Sequence, residues 1–355
     1  MSRQNTSVVL AERPTTDIIP GQTFRIETAP AATAADLQDG FLLVEALYLS
    51  LDPAMRGWLN DRPSYLPPVQ IGAVMRGVTV ARVLATKSSK AAEGDIVVSF
   101  SGWTEVAVIH EKMVENPFAA MPAALRSHLR PIDLVSALGG TGLTAYYGLM
   151  KVAGGIKPTD TVVVSGAAGA TGSVVGQIAK ILGAKRVVGI AGSADKVKWL
   201  TEELGFDVGL NYKDADFAQQ FKAATTDRID VYWDNVGGEI LDMALGRANL
   251  YARFVMCGGI SQYNTTNVKG PKNILQVVVQ RIKMQGFLVF DYAAENATAI
   301  GELAKWVAEG KLKSKEHIVK GGLRAAEEAL VGLFKGVNTG KLVVEIKNPD
   351  ESSKL

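Results

Sequence analysis

The chain of 355 residues carries a single cysteine, Cys257, and three histidines, His110, His128 and His317. One cysteine excludes an intrachain disulfide and a four-cysteine structural zinc site. None of the histidines stands in an H-x-x-x-H or H-E-x-x-H spacing, so no ready metal ligand set is visible and no metal is expected. Charge of either sign is not in excess. The formal net charge of +2 removes the electrostatic case for nucleic acid or an anionic membrane surface. No apolar run approaches the roughly 18 residues of a membrane span. Met1 to Pro14 is polar with a short apolar patch and lacks the pattern of a signal peptide. What remains is an ordinary globular composition, 47% hydrophobic and 21% charged. The chain is longer than one core usually supports, so two domains are expected.

The most informative stretch runs from Thr161 to Ala184. Val162 to Val164 are a β-branched run, as in a buried strand. Gly166, Gly169 and Gly172 recur at every third residue, and Val174, Val175, Ile178, Ile181 and Leu182 then mark one face of a helix. Strand, glycine turn and helix together are the context of a dinucleotide-binding turn. Glycines let the backbone approach a pyrophosphate, and the helix N-terminus offers free N–H groups and a positive dipole end. The spacing is G-x-x-G-x-x-G rather than the commoner G-x-G-x-x-G, and an ordinary tight turn is the competing reading.

Residues 1 to about 130 read as β-rich, with strands expected at Phe41 to Leu49, Val78 to Leu84, Asp95 to Phe100 and Trp103 to Ile109. The loop Asp52 to Pro68, with Arg56, Trp58, Arg62 and Tyr65, is equally a site-lining loop or a plain surface connection. Ile132 to Leu138 and Leu143 to Met150 read as helical segments on either side of Gly139-Gly140-Thr141-Gly142. From Thr161 onward strands and helices alternate. Strands are expected at Val187 to Ile190, Val208 to Leu210, Val231 to Trp233, Phe254 to Cys257 and Gln285 to Phe290. Ser193 is placed to cap a helix from Ala194 to Leu204, and Ile300, Leu303, Ala304 and Val307 mark another. Such alternation argues for a doubly wound parallel sheet. The expected organisation is α/β, with a nucleotide domain over 131–312 inserted in a second, β-rich domain made of 1–130 and 313–355.

In such sheets an acid at the end of the second strand holds the ribose 2′-hydroxyl of NAD and repels a 2′-phosphate. Here that segment is Gly189-Ile190-Ala191-Gly192-Ser193, without an acid and with Lys196 just beyond; Asp195 lies past the expected position. The pattern favours NADP, although Lys196 also fits a solvated helix position.

Several stretches together carry a family resemblance: Leu47 to Gly57, Gly142 to Tyr146, the glycine turn, Asn211-Tyr212-Lys213, Asp234 to Gly238, Cys257 to Asn264 and Gly336 to Lys341. They span nearly the whole chain. It resembles the zinc-independent medium-chain dehydrogenase/reductases, and within them the prostaglandin reductase, curcumin reductase and alkenal double-bond reductase group. The resemblance implies a GroES-like catalytic domain built from both chain ends, a Rossmann domain between them, and a homodimer. It also implies NADPH and reduction of an activated carbon–carbon double bond. Gly169, Ala170, Thr171 and Gly172 then hold the pyrophosphate, and Lys196 and Tyr212 match contacts to the 2′-phosphate. Asn235 matches a cofactor-binding asparagine. Cys257, Gly258, Gly259, Ile260, Ser261 and Tyr263, with Phe287, Leu288 and Val289, match segments along the nicotinamide half. Asn338 matches a late cofactor contact. Two departures bear on the substrate. The usual Asp-Pro-Tyr-Met-Arg has Ala54 in place of tyrosine, and the usual Gly-Met-Pro-Gly reads Gly140-Thr141-Gly142 after Gly139.

Reducing an enone puts negative charge on the carbonyl oxygen, which needs an aimed hydrogen-bond donor, and the α-carbon then needs a proton. Tyr263, just after the fifth strand, is the first candidate donor; Tyr48 is the second, although a strand tyrosine is more often core. Reduction of a carbonyl to an alcohol commonly uses zinc, so an alcohol dehydrogenase is disfavoured. A quinone reductase of the same superfamily and a non-catalytic NADPH-binding protein remain alternatives. The chain ends in Ser353-Lys354-Leu355, which in a eukaryotic host is a peroxisomal address read by the import receptor. In a bacterial host it carries no meaning, and a cytoplasmic location is expected.

Overall fold

The structure is a computed structural model that describes residues 3–350. The chain forms two compact units, Met1–Val135 with Glu316–Leu355, and Ser136–Lys315. The first opens with β1 (Gln4–Leu10) and β2 (Phe24–Pro30), an antiparallel hairpin with no counterpart among the expected strands. Its polar residues hide the pattern, but Val8, Val9, Leu10 and Phe24 are buried and hold it in place. Next come β3 (Phe41–Ser50), β4 (Thr79–Thr86), β5 (Ile96–Ser99), β6 (Val106–His110) and β7 (Val114–Glu115). β6 starts later than expected. The backbone at Trp103 is already bonded elsewhere, its N–H to Met75 O (2.8 Å) and its carbonyl to Val8 N–H (2.9 Å). Part of the loop Asp52 to Pro68 is a helical turn, Met55–Trp58, and Ala54 precedes it in helical geometry.

The second unit contains β8 (Thr161–Val164), β9 (Arg186–Ala191), β10 (Val208–Asn211), β11 (Ile229–Asp234), β12 (Ala248–Met256) and β13 (Lys283–Gly286). They pair in the order β10-β9-β8-β11-β12-β13, every neighbour parallel. This is the doubly wound Rossmann order, in which the winding reverses between β8 and β11. Val162 to Val164 lie wholly inside, as β-branched residues suit a strand covered on both faces.

Three local expectations are corrected. The first expected helical segment is a 3-10 helix over Pro131–Val135, but Gly140 to Gly142 belong to the second: Gly139 stands at its N-cap and Gly140–Tyr147 is helical, continuing as a wide turn over Gly148–Val152. The glycine is needed for close approach, since a Cβ on Gly142 would lie 1.8 Å from Ala137 O. The helix Ala170–Ile181 buries the whole run Gly172 to Ala179 rather than one face. Small residues let neighbours close in, and a Cβ on Gly176 would lie 1.9 Å from the Phe206 ring. The expected strand Gln285 to Phe290 is displaced, because the ladder ends at Gly286 opposite Met256. The Asp291 carboxylate then accepts from Leu288 N–H (3.2 Å) and Val289–Glu295 winds into a 3-10 helix.

The chain returns to the first unit with β14 (Glu316–Val319) and β15 (Lys341–Glu345), joined through the helix Ala326–Phe334. The seven-stranded sheet runs β14-β15-β3-β4-β5-β7, with β6 also on β3, the β-rich GroES-like unit. β3 is its spine, paired with β4, β6 and β15. It also buries Glu45, which is met by Arg3 and by Lys347 (3.0 and 3.1 Å), so both ends of the chain are tied to one strand. A buried carboxylate is tolerated because it is paired.

A pair of substitutions tests the glycine reading. Gly142→Ala is expected to lower stability by about 1–3 kcal/mol through overpacking against the Ala137 carbonyl. Gly140→Ala, with nothing within 4 Å of the added carbon, is expected to stay within about 1 kcal/mol of the parent. Denaturant unfolding reads both; equal effects would remove the packing explanation.

Candidate active site

In a parallel sheet of this order, the carboxyl ends of the strands share one edge, and a crevice opens where the winding reverses. Here the crevice lies between the segment after β8 and the segment after β11. The first is the glycine turn. Gly166 adopts φ +58, the Gly169 N–H donates to Gly166 O (3.0 Å), and a Cβ on Gly172 would lie 2.5 Å from that same oxygen. Gly169 stands extended at the N-cap of the helix, which begins at Ala170. The N–H groups of Ala170, Thr171 and Gly172 are first-turn donors, which no helix satisfies internally, and they make a ready anion site.

After β11, Asp234 to Gly237 are held by a dense set of bonds. The Ser165 hydroxyl donates to Asp234 Oδ1 (2.9 Å) and accepts from Asn235 N–H (2.9 Å). The Asn235 carboxamide donates to Ser165 O (2.7 Å) and accepts from the Trp233 indole (3.0 Å). Its side chain is therefore the tie between the two segments that form the crevice.

After β12, the stretch Cys257 to Tyr263 folds back onto the same place. Cys257 and Gly258 donate to Asp234 O (both 3.0 Å), Ile260 N–H to Asn235 O (3.1 Å) and the Ser261 hydroxyl to Val236 O (2.6 Å). The Tyr263 hydroxyl accepts from Gly259 N–H (3.0 Å), which places its oxygen over the backbone of this loop. Burial, and then the charge of Asp234, push the Cys257 thiol up to about 12, so it is neutral and unreactive near pH 7. Phe287, Leu288 and Val289 follow β13 half-buried, with the Phe287 ring set edge-on to Trp233 at 6.0 Å.

The ends of β9 and β10 carry a separate cluster. Ser193 caps the helix Ala194–Lys198 by accepting from Lys196 N–H (3.4 Å). Tyr212 packs against Gly192, where a Cβ would come within 2.8 Å of its ring, and Lys213 Nζ stands 5.8 Å from the centre of that ring. Burial and the neighbouring charge of Lys213 hold the Lys196 ammonium below its ordinary range. A half-buried ammonium with a second ammonium, Lys213, as its charged neighbour marks a place suited to an anion. Lys213, Ser165 and Asp234 were not singled out from the sequence. Lys213 and Asp234 lie in stretches that carry the family resemblance, and Ser165 in the glycine-turn stretch, but nothing local marks any of the three as a site residue.

Tyr48 and Asn338 belong to the β-rich unit. Tyr48 sits on β3 opposite Val80 and Glu345 and is mostly buried; burial, with Glu345 next, raises its hydroxyl above the usual tyrosine range. Asn338 is buried, and its amide donates to Gly340 O (2.7 Å), closing the turn before β15. In the loop after β3, Arg56 is buried and bonded to Thr16 O (2.8 Å), Pro14 O (3.0 Å) and Asn60 Oδ1 (2.7 Å). That gives Arg56 a bracing role for the N-terminal loop.

A nucleotide crevice at the winding reversal, on a parallel unit inserted in a β-rich one, defines a dehydrogenase or reductase of the medium-chain kind. Residues 6–116 match the family described as the N-terminal domain of oxidoreductase, and residues 170–306 the family described as zinc-binding dehydrogenase. The NADPH-dependent curcumin reductase of Escherichia coli (strain K12) is 38% identical over 98% of this chain and 99% of its own length. Prostaglandin reductase 1 of Bos taurus is 40% identical over 87% and 90%. The crystal structure of CurA in complex with NADPH from Vibrio vulnificus superposes with a TM-score of 0.86 at 37% identity, covering 96% of this chain and 99% of that one. The chain belongs to the medium-chain dehydrogenase/reductase family, among its NADP-dependent oxidoreductases.

The zinc in one of those family descriptions does not fit the donors here. Among the described residues, no three His, Cys, Asp or Glu side chains come together to hold a metal ion. The His110 ring is already engaged, accepting from Lys112 N–H (3.1 Å), and Cys257 is the one cysteine in the chain. No chemical step is assigned to a metal.

Proposed function

We propose that this protein uses NADPH to reduce the carbon–carbon double bond of α,β-unsaturated ketones or aldehydes. The observation that carries the reading is near full-length similarity to a curcumin reductase and to a prostaglandin reductase. The glycine turn and the lysine pair support the cofactor half of it. When bound, NADPH supplies the hydride for the β-carbon and a ribose hydroxyl beside it. Gly169 to Gly172 hold the pyrophosphate through backbone N–H groups. Lys196, Tyr212 and Lys213 take the 2′-phosphate. Cys257 to Ser261 and Phe287 to Val289 shape the nicotinamide half, Asn235 fixes the crevice, and Asn338 is the late cofactor contact that the family resemblance implies. The Tyr263 hydroxyl donates to the carbonyl oxygen as charge gathers there, where a fixed donor contributes most. Tyr48 is the second candidate donor.

Following NADPH absorbance with a simple enone, a simple enal and a quinone tests the reaction. Turnover with the enone or enal supports the reading, and turnover with the quinone alone would overturn it. Tyr263→Phe is expected to lower kcat about 10²-fold or more, with the Kd for NADPH little changed. An unchanged kcat would pass the donor role to Tyr48→Phe for the same test.

Lys196→Ala is expected to weaken NADPH by about tenfold or more and NADH hardly at all, because a charge-assisted contact to phosphate is lost. The sign of the pH dependence follows. Lys196 must be protonated to attract the phosphate, and its lowered range brings deprotonation earlier as pH rises. NADPH affinity should therefore fall on the alkaline side before NADH affinity does. Lys213→Ala should move that fall to higher pH. Equal loss for both nucleotides in titration calorimetry would sink the phosphate assignment.

A homodimer is part of the same reading. It is supported by β13 as an open sheet edge and by exposed Leu275, Val278 and Tyr251 (72%, 72% and 64%) on the neighbouring segments. Sedimentation of the parent against Val278→Asp checks this; a monomeric parent would refute it. No helix among the described residues is long and apolar enough to cross a membrane. Ser353-Lys354-Leu355 lies outside the described residues. In a eukaryotic host, free at the chain end, it would direct import to the peroxisomal matrix, and a deletion that leaves the location unchanged would refute its use.

A further inference from the structure

We propose that Ser165 and Asp234 form a positioning device that holds the loops after β8, β11 and β12 in the one arrangement that accepts NADPH. The bonds converge on a single carboxyl group. Asp234 Oδ1 accepts from the Ser165 hydroxyl (2.9 Å), the Tyr232 hydroxyl (3.1 Å), Val236 N–H (3.1 Å) and Gly237 N–H (3.0 Å). The backbone oxygen of the same residue accepts from Cys257 and Gly258. One residue thus touches the ends of three strands. Ser165 relays the contact by accepting from Asn235 N–H, and Asn235 reaches back to Ser165 O.

The arrangement is costly, which argues that it does more than fill space. Asp234 is wholly buried, and its second oxygen, Oδ2, has no hydrogen-bond partner among the described residues. A buried polar atom left unpaired costs free energy, and an apolar residue in its place would avoid that cost. Burial also pushes the carboxyl above its ordinary range, against the pull of the donors on Oδ1. Such strain is kept where the surrounding structure needs the group. All the loops it ties lie at the carboxyl edge of the sheet. The amino edge is braced by another buried carboxylate, Asp160, paired with Arg253 and bonded to Lys157 N–H (2.7 Å). That pair touches no part of the crevice and serves as an internal control.

The test compares NADPH binding by titration calorimetry with the melting temperature, in the full chain. Ser165→Ala and Asp234→Ala are each expected to weaken NADPH about tenfold or more, and the double variant little more than Asp234→Ala alone. Asp234→Asn keeps an oxygen at Oδ1 and should recover part of the affinity. Asp160→Ala, with a comparable or larger fall in melting temperature, should leave the Kd unchanged. If Asp234→Ala does not fold, Ser165→Ala against Asp160→Ala decides alone. The proposal is overturned if the Kd follows the melting temperature equally at both edges, or if the Ser165 and Asp234 effects simply add. The readout is cofactor binding, so it stands or falls separately from the donor role of Tyr263 and from the choice of substrate.

Discussion

The hydrogen bond from the Ser165 hydroxyl to Asp234 is the buried contact around which the carboxyl edge of the second unit is organised. It joins β8 to β11, the two strands between which the winding of the sheet reverses. A parallel sheet brings all its carboxyl ends to one edge, but it does not fix the loops that leave there. Those loops leave in opposite directions at the reversal, so a tie across the gap is needed to keep a crevice of constant shape. Buried and away from water, the bond is stronger than it would be on the surface, and its neighbours are correspondingly constrained.

Around that tie two clusters offer a nucleotide different physics. The glycine turn offers backbone donors and a helix terminus, a site without side-chain charge. The cluster at β9 and β10 offers two ammonium groups and a tyrosine ring. In the proposed reading the first would accept any pyrophosphate and the second would discriminate by one phosphate. Family membership agrees with this division, since the relatives named for NADPH share nearly the whole length of the chain.

Legibility in the sequence followed the range of the interactions. Val162 to Val164, Val187 to Ile190 and Phe41 to Leu49 were readable because β-branched and apolar runs bury themselves locally. β13 was displaced by a few residues because its end is set by Gly286 and by an Asp291 turn, which apolar content does not register. The N-terminal hairpin escaped because its burial comes from residues some 60 to 100 positions away, such as Trp103 and Ala73, which bond to Val8 and Leu10. Gly142 was read as lying between two helical segments, and its helical role depends on Ala137, as that of Gly176 depends on Phe206.

From the sequence alone came the class of the protein: a β-rich unit split by a parallel one, a glycine turn in the first crossover, no acid at the end of the second strand, and no ligand set for a metal. These are local or compositional properties, set by side-chain size, branching and charge within a few residues. Only the tertiary structure decided which polar residues act together. Lys196 and Lys213 lie seventeen positions apart, and Ser165 and Asp234 sixty-nine, so no spacing rule connects them. They meet because strand order places β9 beside β10 and β8 beside β11, and the energy that sets strand order is distributed over the whole core.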